Sequence, residues 1–225
     1  MAGMASIPGR PLARALRSLA PQVTRIGVVL NGYTSVPSVV RELGCKWVLD
    51  PTNARNAAGK FHWARAWRGA YITVDDDVEY PPDYVEQLWA ELQRWERRVV
   101  VSAWGRIYPE WPDGFFNWLG EGRYVEANPE ARWVNYAGTG SLMWDTKRVK
   151  VPSMWYPPDQ EEGLFNVWAQ NRRVPLRQIA HPYDWPARIP LEAEAPTLFK
   201  DAKAEGFATR NAILEDGAPW RVYSR

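Results

Sequence analysis

Short apolar runs, each ended by turn residues, alternate with amphipathic stretches at least four times along this chain, and that alternation limits the fold more than any other feature. Strand-like runs fall at residues 26–30, 46–49, 70–74, 99–103, 133–136 and 176–180, after a short apolar start at Ala5 and Ile7. Between them lie helical patterns. Pro11 opens one with Leu12, Ala15, Leu16 and Leu19 on a single face, and Pro81-Pro82-Asp83 opens another carrying Val85, Leu88, Trp89, Leu92 and Trp95. Residues 36–43 (closed by Gly44), 60–67 and 161–171 read as helices too. Strands separated by helices pair in parallel, so the expected class is α/β: a mostly parallel, mixed sheet flanked by helices. Residues 105–130 are longer than a passive connection and read as a functional loop. The end of the chain, from Pro196 on, reads as one or two helices followed by irregular chain.

No repeat and no compositional break divides the 225 residues, so one domain is expected over 1–225. No apolar run reaches the ~18 residues a bilayer span requires. The single Cys45 excludes an intramolecular disulfide and a cysteine metal cluster, and suits a reducing compartment. The first twenty residues have the arginine-rich, acid-free composition of a transit peptide. Because they run on into a strand without a linker, the expected location is cytoplasmic, or the host cytoplasm for a phage protein. A net charge of +2 conceals an asymmetry: residues 1–74 carry ten Lys/Arg and two acids, whereas residues 75–162 carry nine and seventeen. That pattern implies an anion-binding half facing an acid-lined half.

Parallel sheets bind ligands at the carboxyl ends of their strands. Pro8-Gly9-Arg10, Asn31-Gly32, Asp50, Asp75-Asp76-Asp77 and His181 follow the expected strands. The aspartate triplet is the sharpest signal. Side chains alternate along an extended backbone, so Asp75 and Asp77 are expected to face one way and Asp76 the other. Paired hard carboxylates suit Mg²⁺ or Mn²⁺ rather than zinc. His62 stands among aromatic residues and reads as packing.

The run AYITVDDDVEYPPDYVEQL resembles the metal-binding D-x-D segment of GT-A-fold glycosyltransferases, in particular family 2-like enzymes of bacteria and phages. ASIPGR resembles the family's nucleotide-binding opening, RIGVVLNGY its second strand and loop, and GKFHWA its donor-contacting Gly-Lys segment. YAGTGSLMW resembles the acceptor loop, and EEGLFNVWAQNRRVPL the acidic residue, helix and strand beyond it.

The resemblance implies a hexosyltransferase that uses a nucleoside-diphosphate sugar, UDP-linked, with Mn²⁺ or Mg²⁺. Asp75 and Asp77 would hold the cation, Asp76 would assist at the ribose or the metal, and His181 would touch the metal or diphosphate. Pro8, Arg10, Asn31, Asp50 and Lys60 would line the nucleotide. An inverting transfer needs a carboxylate base; the position of WAQNRRVP favours Glu162, with Asp159 and Glu161 as rivals. The donor half would span 1–104, the acceptor half 105–195 and a helical tail 196–225. Trp104, Trp111, Trp118 and Trp133 flank the long loop and offer faces for sugar rings or bases. The acceptor hydroxyl would belong to a hydroxymethylated DNA base or to a glycan. A nucleotidyltransferase is the main alternative, disfavoured by the glycine-poor ASIPGR; a non-catalytic carbohydrate- or nucleic-acid-binding module is another.

Overall fold

The computed structural model describes residues 1–119, 127–152, 160–191 and 207–224. In chain order the first elements are β1 (Ala2–Ser6), α1 (Leu12–Leu19), β2 (Ile26–Asn31), α2 (Ser38–Glu42), β3 (Lys46–Asp50), β4 (Ala70–Val74), β5 (Val78–Glu79) and α3 (Tyr84–Arg94). There follow β6 (Val100–Ser102), β7 (Gly105–Arg106), β8 (Arg132–Val134), β9 (Tyr136–Ala137), β10 (Met143–Asp145), α4 (Glu161–Asn171), β11 (Leu176–Gln178), β12 (Ala187–Arg188) and α5 (Ala208–Asp216).

Eight strands form one sheet in the order β3-β2-β1-β4-β10-β6-β11-β8. β1 is parallel to both β2 and β4, β2 to β3, and β6 to β11. The chain winds outward from β1 to β3 and then returns to the other side of β1 as β4. That reversal opens a crevice at the carboxyl ends of β1 and β4, where α/β sheets take their ligands. β10 runs antiparallel between β4 and β6. This reversed strand was not expected: its run is only Met143–Asp145, too short for a period to show.

The helices dock as their stripes dictate. α1 buries Leu12, Ala15, Leu16 and Leu19, each contributing up to roughly 1.5–3 kcal/mol for a large side chain. α3 buries Tyr84, Leu88, Glu91 and Leu92. One core cluster joins these helices to one face of the sheet. A second, built on Phe61, Tyr71, Trp144 and Phe165, fills the other face, and a third links Tyr108, Tyr136 and Val167 to Leu214 and Trp220 of the C-terminal segment. Among the described residues no helix is long and apolar enough to cross a membrane.

Three local expectations change. Residues 60–67 are not a regular helix: a 3₁₀ stretch, Asn56–Phe61, is followed by turns. That stretch lies flat on β1 and β2 because glycine meets it there. A Cβ at Gly3 would overlap the Lys60 carbonyl oxygen, and one at Gly59 would press on Val29. The expected strand 133–136 is split into β8 and β9, which belong to different sheets. Between them Asn135 exchanges hydrogen bonds with the Tyr108 backbone, accepting from its N–H and donating to its carbonyl, both at 2.8 Å. The short helix expected at 36–43 is confined to Ser38–Glu42.

Candidate active site

A cavity of about 930 Å³ opens at the crevice between β1 and β4. The route from sequence to this rim is direct on the β1 side, where Gly9 turns the chain at φ +84° and brings Arg10 back over the strand ends. On the β4 side the strand ends at Val74, and Asp76 and Asp77 sit in a turn. The alternation of an extended chain therefore stops before the triplet, and its side chains are not disposed as expected. Asp76 and Asp77 converge on one guanidinium: Arg10 Nε lies 3.0 Å from Asp76 Oδ1, and an Arg10 terminal nitrogen 2.8 Å from Asp77 Oδ2. Asp75 turns instead to Lys60, with Nζ to Oδ1 at 2.6 Å.

β10 supplies the opposite wall. Because it runs antiparallel to β4, the residues before it lie beside the end of β4: Thr73 N–H donates to the Leu142 carbonyl at 2.9 Å. Gly140 is thereby set against Asp75, and a Cβ on it would overlap Asp75 Oδ2. α4 brings its first turn to the same place. Asn166 fixes it, accepting from Ala137 N–H at 2.8 Å and donating to the Ala137 and Glu162 carbonyls at 2.9 and 2.7 Å.

Charge in this crevice is dense and mostly paired. Lys60 is buried; burial pulls its ammonium toward neutrality, but Asp75 and Glu161 outweigh that pull and hold it protonated. Glu161 lies 4.0 Å from Lys60 Nζ, its Oε2 has no partner, and burial raises its pKa. Burial also pushes Asp76 up to about 6 despite Arg10. Arg188, on β12, adds a third cation 3.5 Å from Asp77. Glu162 points into the cavity with its side chain 34% exposed, 3.7 Å from Arg106 and 3.4 Å from the Thr139 N–H.

The cavity thus has two ends. At one, Arg10, Asn31, Asn53, Asn56, Lys60 and the three aspartates line it; at the other, Trp104, Arg106, Phe115, Phe116, Trp118, Tyr136 and Arg210 do. Asn31 Nδ2 donates to the Asn56 carbonyl at 2.8 Å, which leaves Asn31 Oδ1 buried without a donor.

Several expected site residues are not gathered here. His181 does not line the cavity: its Nδ1 lies 2.9 Å from the Pro182 carbonyl, its ring stacks on Trp185, and its backbone bridges Asn128. Asp50 turns away to accept from Thr52 and from the Arg55 backbone, both at 2.9 Å, because the turn after β3 offers donors closer than the crevice does. Pro8 is likewise absent from the cavity wall. Asp159 lies outside the described residues. Of the four tryptophans near the long loop, Trp104 and Trp118 reach the cavity. Trp111 is exposed, and Trp133 packs on Trp95 with ring centres 4.6 Å apart. Sequence reasoning missed Arg106, Arg188 and Arg210. Arg106 was within reach, since it closely follows the strand expected at 99–103; the other two carry no local signal.

Hard carboxylate oxygens are the right donors for Mg²⁺ or Mn²⁺, which keep several waters and use one or two carboxylates plus phosphate oxygens. Asp75 gives Oδ1 to Lys60, and its Oδ2 lies against Gly140, where a Cβ would overlap it. Among the described residues no three His, Cys, Asp or Glu side chains converge as a closed metal cage. An open site shared with a ligand's phosphates is the arrangement these residues fit.

A crystal structure of S. aureus TarS, residues 1–349, shares the GT-A fold with a TM-score of 0.53 at 16% sequence identity; the match covers 80% of this chain and 58% of that one. No curated protein matches the sequence. The sequence profile of glycosyl transferase family 2 matches residues 9–147, from Gly9 at the β1 turn through the aspartate triplet and past β10. That match spans more than half of the 225 residues, and the chain belongs to glycosyl transferase family 2.

Proposed function

We propose that this protein transfers a hexosyl group from a nucleoside-diphosphate sugar, UDP-linked, to an acceptor hydroxyl on a glycan or a hydroxymethylated DNA base, inverting the anomeric carbon. The observation that carries the proposal is the division of one cavity into an end lined by cations and carboxylates and an aromatic end, with Glu162 near their junction. The donor half is 1–104 and the acceptor half 105–195, and the tail from 196 contributes Arg210, Ile213 and Leu214 to the acceptor wall.

Asp75 and Asp77 would hold Mg²⁺ or Mn²⁺. When bound, that ion supplies positive charge for the donor's diphosphate. Arg10, Lys60 and Arg188 bring cations already held in the crevice, and they offset the charge that builds on the leaving diphosphate. Glu162 takes the acceptor's hydroxyl proton; the oxygen then bonds to the anomeric carbon from the face opposite the diphosphate. The bond from that carbon to the β-phosphate oxygen breaks, and nucleoside diphosphate leaves with the electron pair. One displacement of this kind inverts configuration. Glu162 is preferred to Glu161 because Glu161 is buried against Lys60, whereas Glu162 is the carboxylate open to the acceptor end.

Mass spectrometry of a donor-by-acceptor panel that includes hydroxymethylcytosine DNA tests the activity. Glu162→Gln is expected to lose at least about 100-fold in transfer rate while keeping its affinity for UDP, because only the base is removed. Normal turnover by that variant would remove Glu162 from the role.

A further inference from the structure

The acceptor end of the cavity holds more positive charge than the transfer chemistry asks for. Arg106 and Arg210 both lie over the Phe115 ring, 5.1 and 4.9 Å from its centre, so the two guanidiniums flank one aromatic side chain. Arg106 also lies over Trp118 and Tyr136 and is 3.7 Å from Glu162. Arg210 has its aromatic contacts, Phe115 and Phe207, but makes no ion pair with any described residue. Both arginines line the cavity.

Aromatic contact fixes each planar fork; Arg106 turns part of its edge to Glu162, whereas the edge of Arg210 meets no carboxylate among the described residues. Glu162 offsets one of the two charges and leaves the other facing the cavity. A neutral sugar would leave that charge uncompensated in a partly enclosed, aromatic-walled space, which is costly. A carboxylate offers two oxygens on one small group. A phosphate ester presents several oxygens and can accept from two forks at once.

Resting on the reading of this end as the acceptor subsite, we propose that the acceptor carries a phosphate ester close to the hydroxyl that is glycosylated, and that Arg210, with Arg106, binds that phosphate while the aromatic wall packs against the adjoining ring or chain. A nucleic-acid strand and a polyol-phosphate chain present the same group, and the probes below separate them.

The full chain, saturated with UDP and Mn²⁺, is titrated calorimetrically with three probes: an octathymidylate single strand, a glycerol-phosphate oligomer and neutral maltohexaose. At least one phosphodiester probe is expected to bind, with affinity falling about tenfold or more in Arg210→Gln and partly restored in Arg210→Lys. The phosphodiester that binds identifies the source. Raising salt should weaken this binding and leave maltohexaose unaffected. Tighter binding of maltohexaose than of either phosphodiester, binding of none of the three, or phosphodiester binding unchanged in Arg210→Gln would overturn the proposal. The UDP titration that precedes each run keeps the two readings apart. Its failure in the wild-type protein counts against the glycosyltransferase site itself; its success with a neutral acceptor preferred counts against the phosphate alone. Retained UDP affinity and an unchanged unfolding midpoint in Arg210→Gln show that a lost acceptor signal does not come from a damaged fold.

Discussion

Asp75 has room for its carboxylate only because residue 140 has no side chain. Gly140→Ala is expected to push that carboxylate out of place, costing roughly 1–3 kcal/mol of stability and lowering Mn²⁺-dependent UDP affinity on the order of tenfold. Urea unfolding and calorimetry read the two effects separately. His181 carries a pH dependence instead. Burial lowers its pKa below the ordinary 6.5, so the folded protein holds the ring neutral where the unfolded chain would protonate it. Its contribution is complete above that ordinary value and is lost as pH falls through it. The urea midpoint of the wild type should therefore fall more steeply between about pH 7 and 5 than that of His181→Gln. Asp76, raised to about 6, pulls the opposite way over the same range, so the difference between the two proteins isolates the histidine. Equal slopes would contradict this assignment. At this scale the identity of the acidic triplet was legible in the sequence. The direction of its side chains was not, because alternation governs strands, and the strand ends at Val74 with Asp76 and Asp77 in a turn. His181 follows a strand, yet its ring faces Trp185 rather than the cavity.

Elements place the chemistry where single residues could not. The 3₁₀ stretch carrying Lys60 packs closely on β1 and β2 because Gly3 and Gly59 let backbone and side chain approach, and the Tyr71 hydroxyl donates to the Lys60 carbonyl at 2.8 Å. α4 is tied to β9 through one fully buried amide, that of Asn166. Asn166→Ala strands the Ala137 N–H and carbonyl inside the protein, and it is expected to cost roughly 2–4 kcal/mol in denaturant unfolding. Transfer should fall as well, since Glu162 rides on the same turn. A variant as stable as the wild type would show that the clamp does not hold the helix. The central strands could be read from their short apolar runs, buried at nearly every position, and α1 and α3 from stripes whose period of 3.6 persists over their lengths. β10 could not: three residues give no period, and only its pairing with β4 and β6 makes it a strand.

Across the whole molecule, the basic first third and the acidic middle meet in one crevice. Arg10 and Lys60 come from residues 1–74, and Asp75, Asp76, Asp77 and Glu161 from residues 75–162. The charge asymmetry in the sequence is therefore closed by the fold at the site. The end lined by cations and carboxylates follows from strand-end positions that the sequence exposes, whereas the aromatic end draws on β7, the residues after it and α5, whose approach depends on a core of Tyr108, Tyr136, Val167, Leu214 and Trp220. No local pattern encodes that meeting. The account depends most on a divalent cation joining the triplet to a diphosphate. Calorimetric titration of UDP into the wild-type protein, in Mn²⁺ and then in chelator, tests this directly, with Asp75→Asn and Asp77→Asn alongside. The account predicts at least about tenfold tighter binding in Mn²⁺, about 1.4 kcal/mol, and no such gain in either variant. Equal affinity with and without the metal would contradict it.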